Sequence, residues 1–157
     1  MKWFVLYTKP RTERKTAQEL EKLGLEVYCP VTTELRKWSD RMKKISSPLF
    51  KSYIFVHLEE KDRNKVFDVP TVVRYLTWLK KPAVVKEVEI LTLKDWLESD
   101  KYEKVQVHDY SPGDKVTINN GALKGRSGTV QEIGKREVRL VLESLGFFVT
   151  TRIKDLS

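Results

Sequence analysis

Apolar residues in the first hundred positions follow two spacings, one typical of strands and one typical of helices. Residues 3–7 are almost continuously apolar, which predicts a central strand that is covered on both faces. Thr12 is then expected to be the N-cap of a helix that continues through Leu23 and is stopped by Gly24, and Ala17, Leu20 and Leu23 or Gly24 fall on one stripe of it. A strand followed directly by an amphipathic helix indicates a mixed architecture.

A second apolar segment, residues 53–58, is a strand whose side chains alternate between two faces. One face has aliphatic residues only and is expected to be core, so the other is expected to be the solvent side. The expected core set is Ile54, Val56 and Leu58. The expected solvent-side set is Tyr53, Phe55 and His57. The sequence therefore places two aromatic rings on an accessible face of this strand.

The remaining elements of the front part follow from local patterns. Residues 25–28 and 72–78 are predicted strands, and Asp62 is expected to cap a short helix. Residues 86–99 are predicted to form a helix that carries Val88, Leu91 and Trp96 or Leu97. Together these elements predict an α/β sandwich with a mostly antiparallel sheet.

Glycine is distributed unevenly along the chain. Six of the seven glycines lie at or after Gly113, whereas residues 1–100 contain only Gly24. This shift predicts a front domain over residues 1–100, a polar linker over residues 101–111 and a second domain over residues 112–157.

The second domain contains several short strand candidates that are separated by glycine turns. Four or five short strands in so few residues close most easily into a small barrel. The predicted strands are residues 115–118, 129–133, 138–142 and 147–151. The overall class is therefore α+β: an α/β sandwich followed by a small β-barrel.

Positive charge is concentrated in one part of the chain. The formal net charge is +8, and residues 36–51 contain six basic residues and one acidic residue, which accounts for +5 of it. An unbalanced basic segment favours contact with nucleic acid, although a solvated hairpin is the common alternative. Trp38, within this segment, could stack on an extruded base or could serve packing. The candidate nucleic-acid residues are Lys9, Arg11, Arg14, Arg36, Lys37, Arg41, Lys43 and Lys44.

Catalytic and membrane functions find no support in the sequence. His57 and His108 have no nucleophile or carboxylate partner by motif, and Cys29 is the single cysteine, so we expect no enzyme, no metal site and no cofactor. No apolar run approaches the roughly 20 residues that span a bilayer. We therefore expect a cytoplasmic protein without membrane contact.

Specific segments carry a resemblance to a known family. Residues 112–130, PGDKVTINNGALKGRSGTV, resemble a KOW motif, and the SH3-like barrel that this motif implies agrees with the barrel predicted above. The front segments WFVLYTKPR, EVYCP and PLFKSYIFV resemble the N-terminal domain of NusG-family transcription elongation factors. The resemblance covers nearly the whole chain and is closest to the specialised RfaH-like and UpxY-like antiterminators.

The resemblance implies a role in bacterial transcription. The N-terminal domain would bind the clamp helices of RNA polymerase through an apolar depression and suppress pausing or termination. By position, the candidate polymerase-binding residues are Tyr7, Phe50, Tyr53 and Phe55; the alternative is that these rings fill the core. The basic residues would then contact DNA near the transcription bubble, and the chain is expected to act as a monomer.

The KOW domain would recruit a partner, either ribosomal protein S10 or the termination factor Rho. Its candidate contact residues are Val116, Leu123 and Phe147. The glycines of this domain each weaken a helix by about 1 kcal/mol, so we expect it to remain a barrel. The alternative function is a ribosome-associated or general RNA-binding KOW protein, but residues 101–157 have a net charge of only +3, from ten basic and seven acidic residues.

One departure from the family pattern falls beside the candidate aromatic residues. The family usually has Phe-Pro-Gly-Tyr where this chain has Phe50, Lys51, Ser52 and Tyr53. The substitution replaces a turn-forming Pro-Gly pair and adds a positive charge at Lys51.

Overall fold

The computed structural model describes residues 1–110, 130–132 and 136–154. The predicted strand at 115–118 and the loop glycines from 113 to 134 lie outside the described residues. The front elements are β1 (Lys2–Thr8), α1 (Glu13–Lys22), β2 (Glu26–Tyr28), β3 (Val31–Trp38), β4 (Arg41–Pro48), β5 (Tyr53–Leu58), a 3-10 helix (Glu60–Asp68), β6 (Val72–Tyr75), β7 (Thr77–Trp78), β8 (Lys81–Pro82), β9 (Val84–Val85) and α2 (Glu87–Glu98). The tail elements are β10 (Tyr102–Asp109), β11 (Val130–Glu132), β12 (Glu137–Leu142), a 3-10 turn (Glu143–Leu145) and β13 (Phe147–Ile153).

The front sheet is antiparallel and is built around β1, as the apolar run predicted. The strand order is β2-β5-β1-β6, and β9 also pairs with β1. The register sets Val5 opposite Phe55 and Tyr7 opposite Tyr53. In the described part of the chain, neither helix is long and apolar enough to cross a membrane.

One face of this sheet packs against α1 and the long 3-10 helix. Ala17 and Leu20 of α1, together with Val66, are buried against Phe4 and Ile54 of the sheet. The predicted stripe of α1 is therefore confirmed for Ala17 and Leu20, whereas Leu23, just beyond the end of the helix, is exposed. Burial of a full aliphatic side chain stabilises the fold by roughly 1.5–3 kcal/mol, so these contacts hold the helix on the sheet.

The opposite face is also covered, as the apolar run of β1 predicted and the alternation along β5 did not. Trp3, Val5 and Phe55 belong to one buried cluster that includes side chains of α2 and of the tail. The contributions from α2 are Ile90, Leu93 and Trp96, and those from the tail include Val138, Leu140 and Val149. Phe55 is 0% exposed, so its expected solvent-side position is wrong.

Helix α2 is rotated relative to the sequence expectation. Its bounds agree with the predicted helix, but Val88 and Leu91 are exposed, while Trp96 is buried as part of a different stripe. Residues 90, 93 and 96 recur at a spacing of three, so they share one side of the helix and can face the sheet together.

The tail strands described here form a four-stranded antiparallel sheet of order β10-β13-β12-β11. Strand β10 occupies residues 102–109, which were expected to be an irregular linker; Tyr102, Val105 and Val107 give it an apolar side that packs on the core. Gly146 has a φ of +73°, which confirms the predicted turn before β13. The α+β class with antiparallel sheets is confirmed, and the domain division at residues 101–111 stays a prediction.

The turn between β4 and β5 contains a residue in a conformation that favours glycine. Ser52 has a φ of +67°, and its carbonyl accepts a hydrogen bond of 2.8 Å from the Thr8 N–H. A non-glycine residue in this region costs roughly 1–2 kcal/mol. Serine therefore stands where the Pro-Gly turn of the resembling family would place its glycine.

Ser52→Gly is expected to raise the free energy of unfolding by about 1 kcal/mol, because glycine adopts a positive φ without steric cost. Urea denaturation followed by circular dichroism measures the change. Ser52→Ala is the control, since it removes the same hydroxyl and keeps the backbone strain. An equal gain in both variants would contradict the strain argument.

Candidate functional site

The four candidate polymerase-binding residues lie together at one end of the front sheet. Tyr7 and Tyr53 are half-buried and meet edge to face, with ring centroids 5.4 Å apart. Phe50 and Phe55 meet edge to face at 5.8 Å, and both are buried. The structure thus assembles the predicted residues into one aromatic cluster, which we call the aromatic face. Only its two tyrosines are partly accessible in this arrangement.

The tail covers the aromatic face through Phe147. Its ring stacks on Phe50 at 5.8 Å with an interplanar angle of 26°, and contacts Tyr53 edge to face at 6.0 Å. Phe147 was predicted to contact a partner of the tail, and here its ring packs against Phe50 and Tyr53. Val116 and Leu123, the other two predicted tail contacts, lie outside the described residues.

The basic segment forms a long two-stranded hairpin. Strands β3 and β4 pair from Val31 opposite Pro48 to Trp38 opposite Arg41, and Ser39 in the connecting turn has a φ of +55°. Except for Ile45, all side chains from residue 33 to residue 47 are exposed. The predicted basic residues of this segment are therefore displayed to solvent.

The register divides the charges of the hairpin between its two faces. Arg36 lies opposite Lys43 and Trp38 opposite Arg41, so these four side chains share one face, which we call the Trp38 face. Lys37 and Lys44 project from the other face, opposite Met42 and Leu35 respectively. The predicted nucleic-acid residues of the hairpin therefore fall into a set of three and a set of two.

Trp38 is the most distinctive residue of its face. Its side chain is 64% exposed, and Lys43 Nζ lies 5.6 Å from its ring centroid. The packing role that the sequence left open for Trp38 is not observed. On the same face, Arg36 forms an ion pair with Glu34 at 3.4 Å, which partly offsets its charge.

The remaining predicted basic residues, Lys9, Arg11 and Arg14, are exposed where β1 leads into α1. This segment is held by hydrogen bonds: the Lys9 N–H donates to Thr71 O at 3.0 Å, and Thr12 Oγ1 donates to Lys9 O at 2.7 Å. Thr12 occupies the predicted N-cap position but makes no side-chain cap bond. The hairpin and this segment are thus two separate basic regions.

One cation beside the aromatic face was missed by the sequence analysis. Arg74 of β6 is paired with Tyr7, and its guanidinium carbon lies 5.6 Å from the Tyr7 ring centroid. The missing signal was the strand register, because residues 7 and 74 are far apart in sequence. Arg74 adds a positive charge to the accessible edge of the cluster.

His57 and Cys29, which the sequence analysis considered for catalysis and metal binding, are both held in contacts within the fold. His57 Nδ1 lies 2.5 Å from Glu26 Oε1, and its ring stacks on Trp3 with centroids 4.6 Å apart. Burial is the main cause that raises the pKa of the Cys29 thiol to about 11, and the nearby Glu13 carboxylate is the second. The thiol is therefore protonated at neutral pH. Among the described residues, no group of three or more His, Cys, Asp or Glu could hold a metal ion.

The described part of the chain thus combines an exposed basic hairpin, an aromatic face and a small antiparallel tail sheet. The family model described as "Transcription termination factor nusG" matches residues 1–94. This chain belongs to the NusG family.

Similar proteins extend this likeness over most of the chain. The transcription termination/antitermination protein NusG of Haemophilus influenzae is 25% identical over 151 residues, covering 88% of this chain and 82% of its own. That of Chlamydia pneumoniae is also 25% identical, covering 99% of this chain and 91% of its own. A solved structure, described as domain interaction in Thermotoga maritima NusG, covers 99% of this chain and 93% of its own with 20% identity and a TM-score of 0.48.

Proposed function

We propose that this chain is a transcription elongation or antitermination factor that binds the clamp helices of RNA polymerase and suppresses pausing or termination. Membership of the NusG family supports the class of activity. The aromatic face supports the mode of binding, because clustered aromatic rings are frequent anchors of protein interfaces. Tyr7 and Tyr53 are the part of this face that a partner reaches first.

The observation that carries the proposal is the position of Phe147 on the aromatic face. A tail ring that stacks on Phe50 and contacts Tyr53 occupies the surface that polymerase would need. Binding therefore requires the tail to move away from the front domain, and the contact lowers the apparent affinity of the free protein. Once released, Phe147 is available to a partner of the tail.

The hairpin supplies the contact with DNA near the transcription bubble in this proposal. Eight residues per strand at roughly 3.3 Å each give a reach of about 26 Å. Lysine and arginine contacts to phosphates position a protein without reading sequence, and Trp38 adds a surface for stacking an unpaired base. The tail would recruit ribosomal protein S10 or the termination factor Rho.

Replacing both Tyr7 and Tyr53 with serine is expected to weaken binding to RNA polymerase by at least about tenfold, because both rings belong to the accessible part of the aromatic face. Binding of the full chain to purified polymerase is measured by fluorescence anisotropy, and circular dichroism checks the fold.

Tyr75→Ser provides the matched control for this experiment. Tyr75 is a half-buried tyrosine of β6 that packs into the core on the opposite side of the sheet. Its replacement should cost stability without changing polymerase affinity. Unchanged affinity in the Tyr7 and Tyr53 variant, or an equal loss in the control, would overturn the assignment of the binding face.

A further inference from the structure

A cleft of about 600 Å³ lies between the start of α1 and the turn that joins β4 to β5. Its volume falls within the roughly 300–1,000 Å³ that is usual for small-molecule sites. Three cationic side chains line it: Arg11 and Arg14 from one wall, and Lys51 from the other. These charges come from segments distant in sequence, so the fold itself brings them together.

The walls of the cleft also carry hydroxyl groups on a fixed backbone. Ser47 at the end of β4 and Ser52 in the turn both line it. The Thr8 N–H donates to Ser52 O at 2.8 Å, and the Leu49 N–H donates to Pro30 O at 2.8 Å. Hydroxyl groups on a rigid backbone bind a ligand at low entropic cost.

Glu13 gives the cleft a feature that solvated surface charges do not have. It lines the cleft at the first position of α1 and is only 6% exposed. Its Oε1 atom is buried and has no hydrogen-bond partner among the described residues. A buried carboxylate oxygen without a donor is costly, and no described residue supplies a donor to this one.

We propose that this cleft binds a nucleotide. The phosphate would be held by Arg11, Arg14 and Lys51, since guanidinium groups pair with phosphate through two parallel hydrogen bonds. Glu13 would accept a hydrogen bond from a hydroxyl or exocyclic amine of the same nucleotide, and rotation about its terminal bond, a soft torsion, can present either oxygen. The lining charges sum to +2, from three cations and one carboxylate, which matches a phosphate monoester of roughly −1.5 to −2.

This site goes beyond the proposed binding of polymerase and does not depend on it. Lys51 and Ser52 stand where the family usually has Pro-Gly, so two of the lining residues depart from the family pattern. The nucleotide could be a free mononucleotide or one residue of a nucleic-acid strand. Both sources share the chemistry of a phosphate with an adjacent donor.

The experiment is isothermal titration calorimetry of the full chain with each of the four ribonucleoside 5′-monophosphates, with inorganic phosphate and with a single-stranded DNA oligonucleotide. An oligonucleotide of about 12 residues is long enough, because single-strand-binding modules cover roughly 4–16 nucleotides. Arg14→Ala and Lys51→Ala should each weaken nucleotide binding about tenfold, the effect of losing one charge-assisted contact. Lys15→Ala is the matched control, because Lys15 is an exposed cation of α1 that is not among the described residues lining the cleft. Its effect should stay below about twofold.

Glu13→Gln separates nucleotide recognition from simple attraction of anions. Loss of the carboxylate should weaken nucleotide binding. The affinity for inorganic phosphate should stay the same or increase, because a repulsive negative charge has been removed. If a monophosphate binds and the Arg14, Lys51 and Glu13 variants weaken its binding, the ligand is a free nucleotide. If only the 12-mer binds and the same variants weaken its binding, the ligand is one residue of a nucleic-acid strand. Absence of saturable binding by both, or equal losses in Arg14→Ala and Lys15→Ala, would overturn the proposal.

Discussion

Phe147→Ala is expected to increase the affinity of the full chain for RNA polymerase by about tenfold. The substitution removes one stacked and one edge-to-face ring contact with the aromatic face, and such pairs contribute roughly 0.5–1.5 kcal/mol each. The tail covers the proposed binding surface through Phe147. Weakening this contact therefore raises the fraction of protein molecules whose aromatic face is free to bind polymerase. Titration of labelled protein with core polymerase measures the gain.

Phe148→Ala is the matched control, because adjacent residues of β13 project to opposite faces of the strand. The Phe148 ring stacks on His108 at 4.7 Å and has the Arg139 guanidinium carbon 4.5 Å from its centroid. Its removal should cost the tail a similar amount of stability without releasing the aromatic face. Reduced polymerase affinity in Phe147→Ala would instead show that this ring takes part in binding.

Small-angle X-ray scattering provides a second measurement for the same substitution. A larger radius of gyration for free Phe147→Ala, with an unchanged value for Phe148→Ala, is expected if the tail separates from the front domain. An unchanged radius of gyration together with a higher affinity would show that Phe147→Ala acts without separating the tail from the front sheet. That result would contradict the proposal that the tail must move away before polymerase binds.

Local patterns were sufficient to predict most elements of the front sheet, because each depends on neighbouring residues. The apolar run of residues 3–7 became central strand β1, and Ala17 and Leu20 became the buried stripe of α1. Errors arose where a distant segment decides burial. Phe55 was expected on a solvent face because alternation along β5 does not show that α2 and the tail cover the face opposite to α1.

Strand β10 was missed because a distant segment, β13, decides that it forms. Residues 102–109 are mostly polar, so their weak alternation did not predict a strand. Pairing with β13 supplies backbone hydrogen bonds, and Tyr102, Val105 and Val107 provide enough apolar surface for one side to pack. A strand at this position is fixed by its neighbour more than by its own sequence.

The candidate sites were predictable as sets of residues, but their spatial arrangement was not. Charge counting located the basic segment, yet the division between Arg36 and Lys43 on one face and Lys37 and Lys44 on the other depends on the hairpin register. Arg74 was missed because only the pairing of β6 with β1 brings it to Tyr7. The cleft beside Glu13 likewise joins segments nearly forty residues apart.

The division of the hairpin allows a test in which charge and position are separated. Arg36→Glu with Lys43→Glu and Lys37→Glu with Lys44→Glu each lower the formal net charge from +8 to +4, since two cations become two anions. Only the first pair lies on the Trp38 face. We expect the first variant to lose most of the salt-sensitive affinity for single-stranded DNA and the second to lose much less.

The measured quantity is the slope of the logarithm of the binding constant against the logarithm of salt concentration. Each phosphate contact to a single strand contributes about 0.7 to this slope, so removal of two contacts should reduce it by about 1.4. Trp38→Ala should leave the slope unchanged and weaken binding by roughly 1–3 kcal/mol per stacked base. Equal losses in the two double variants would show that the hairpin acts through its overall charge, in which case the Trp38 face has no special role.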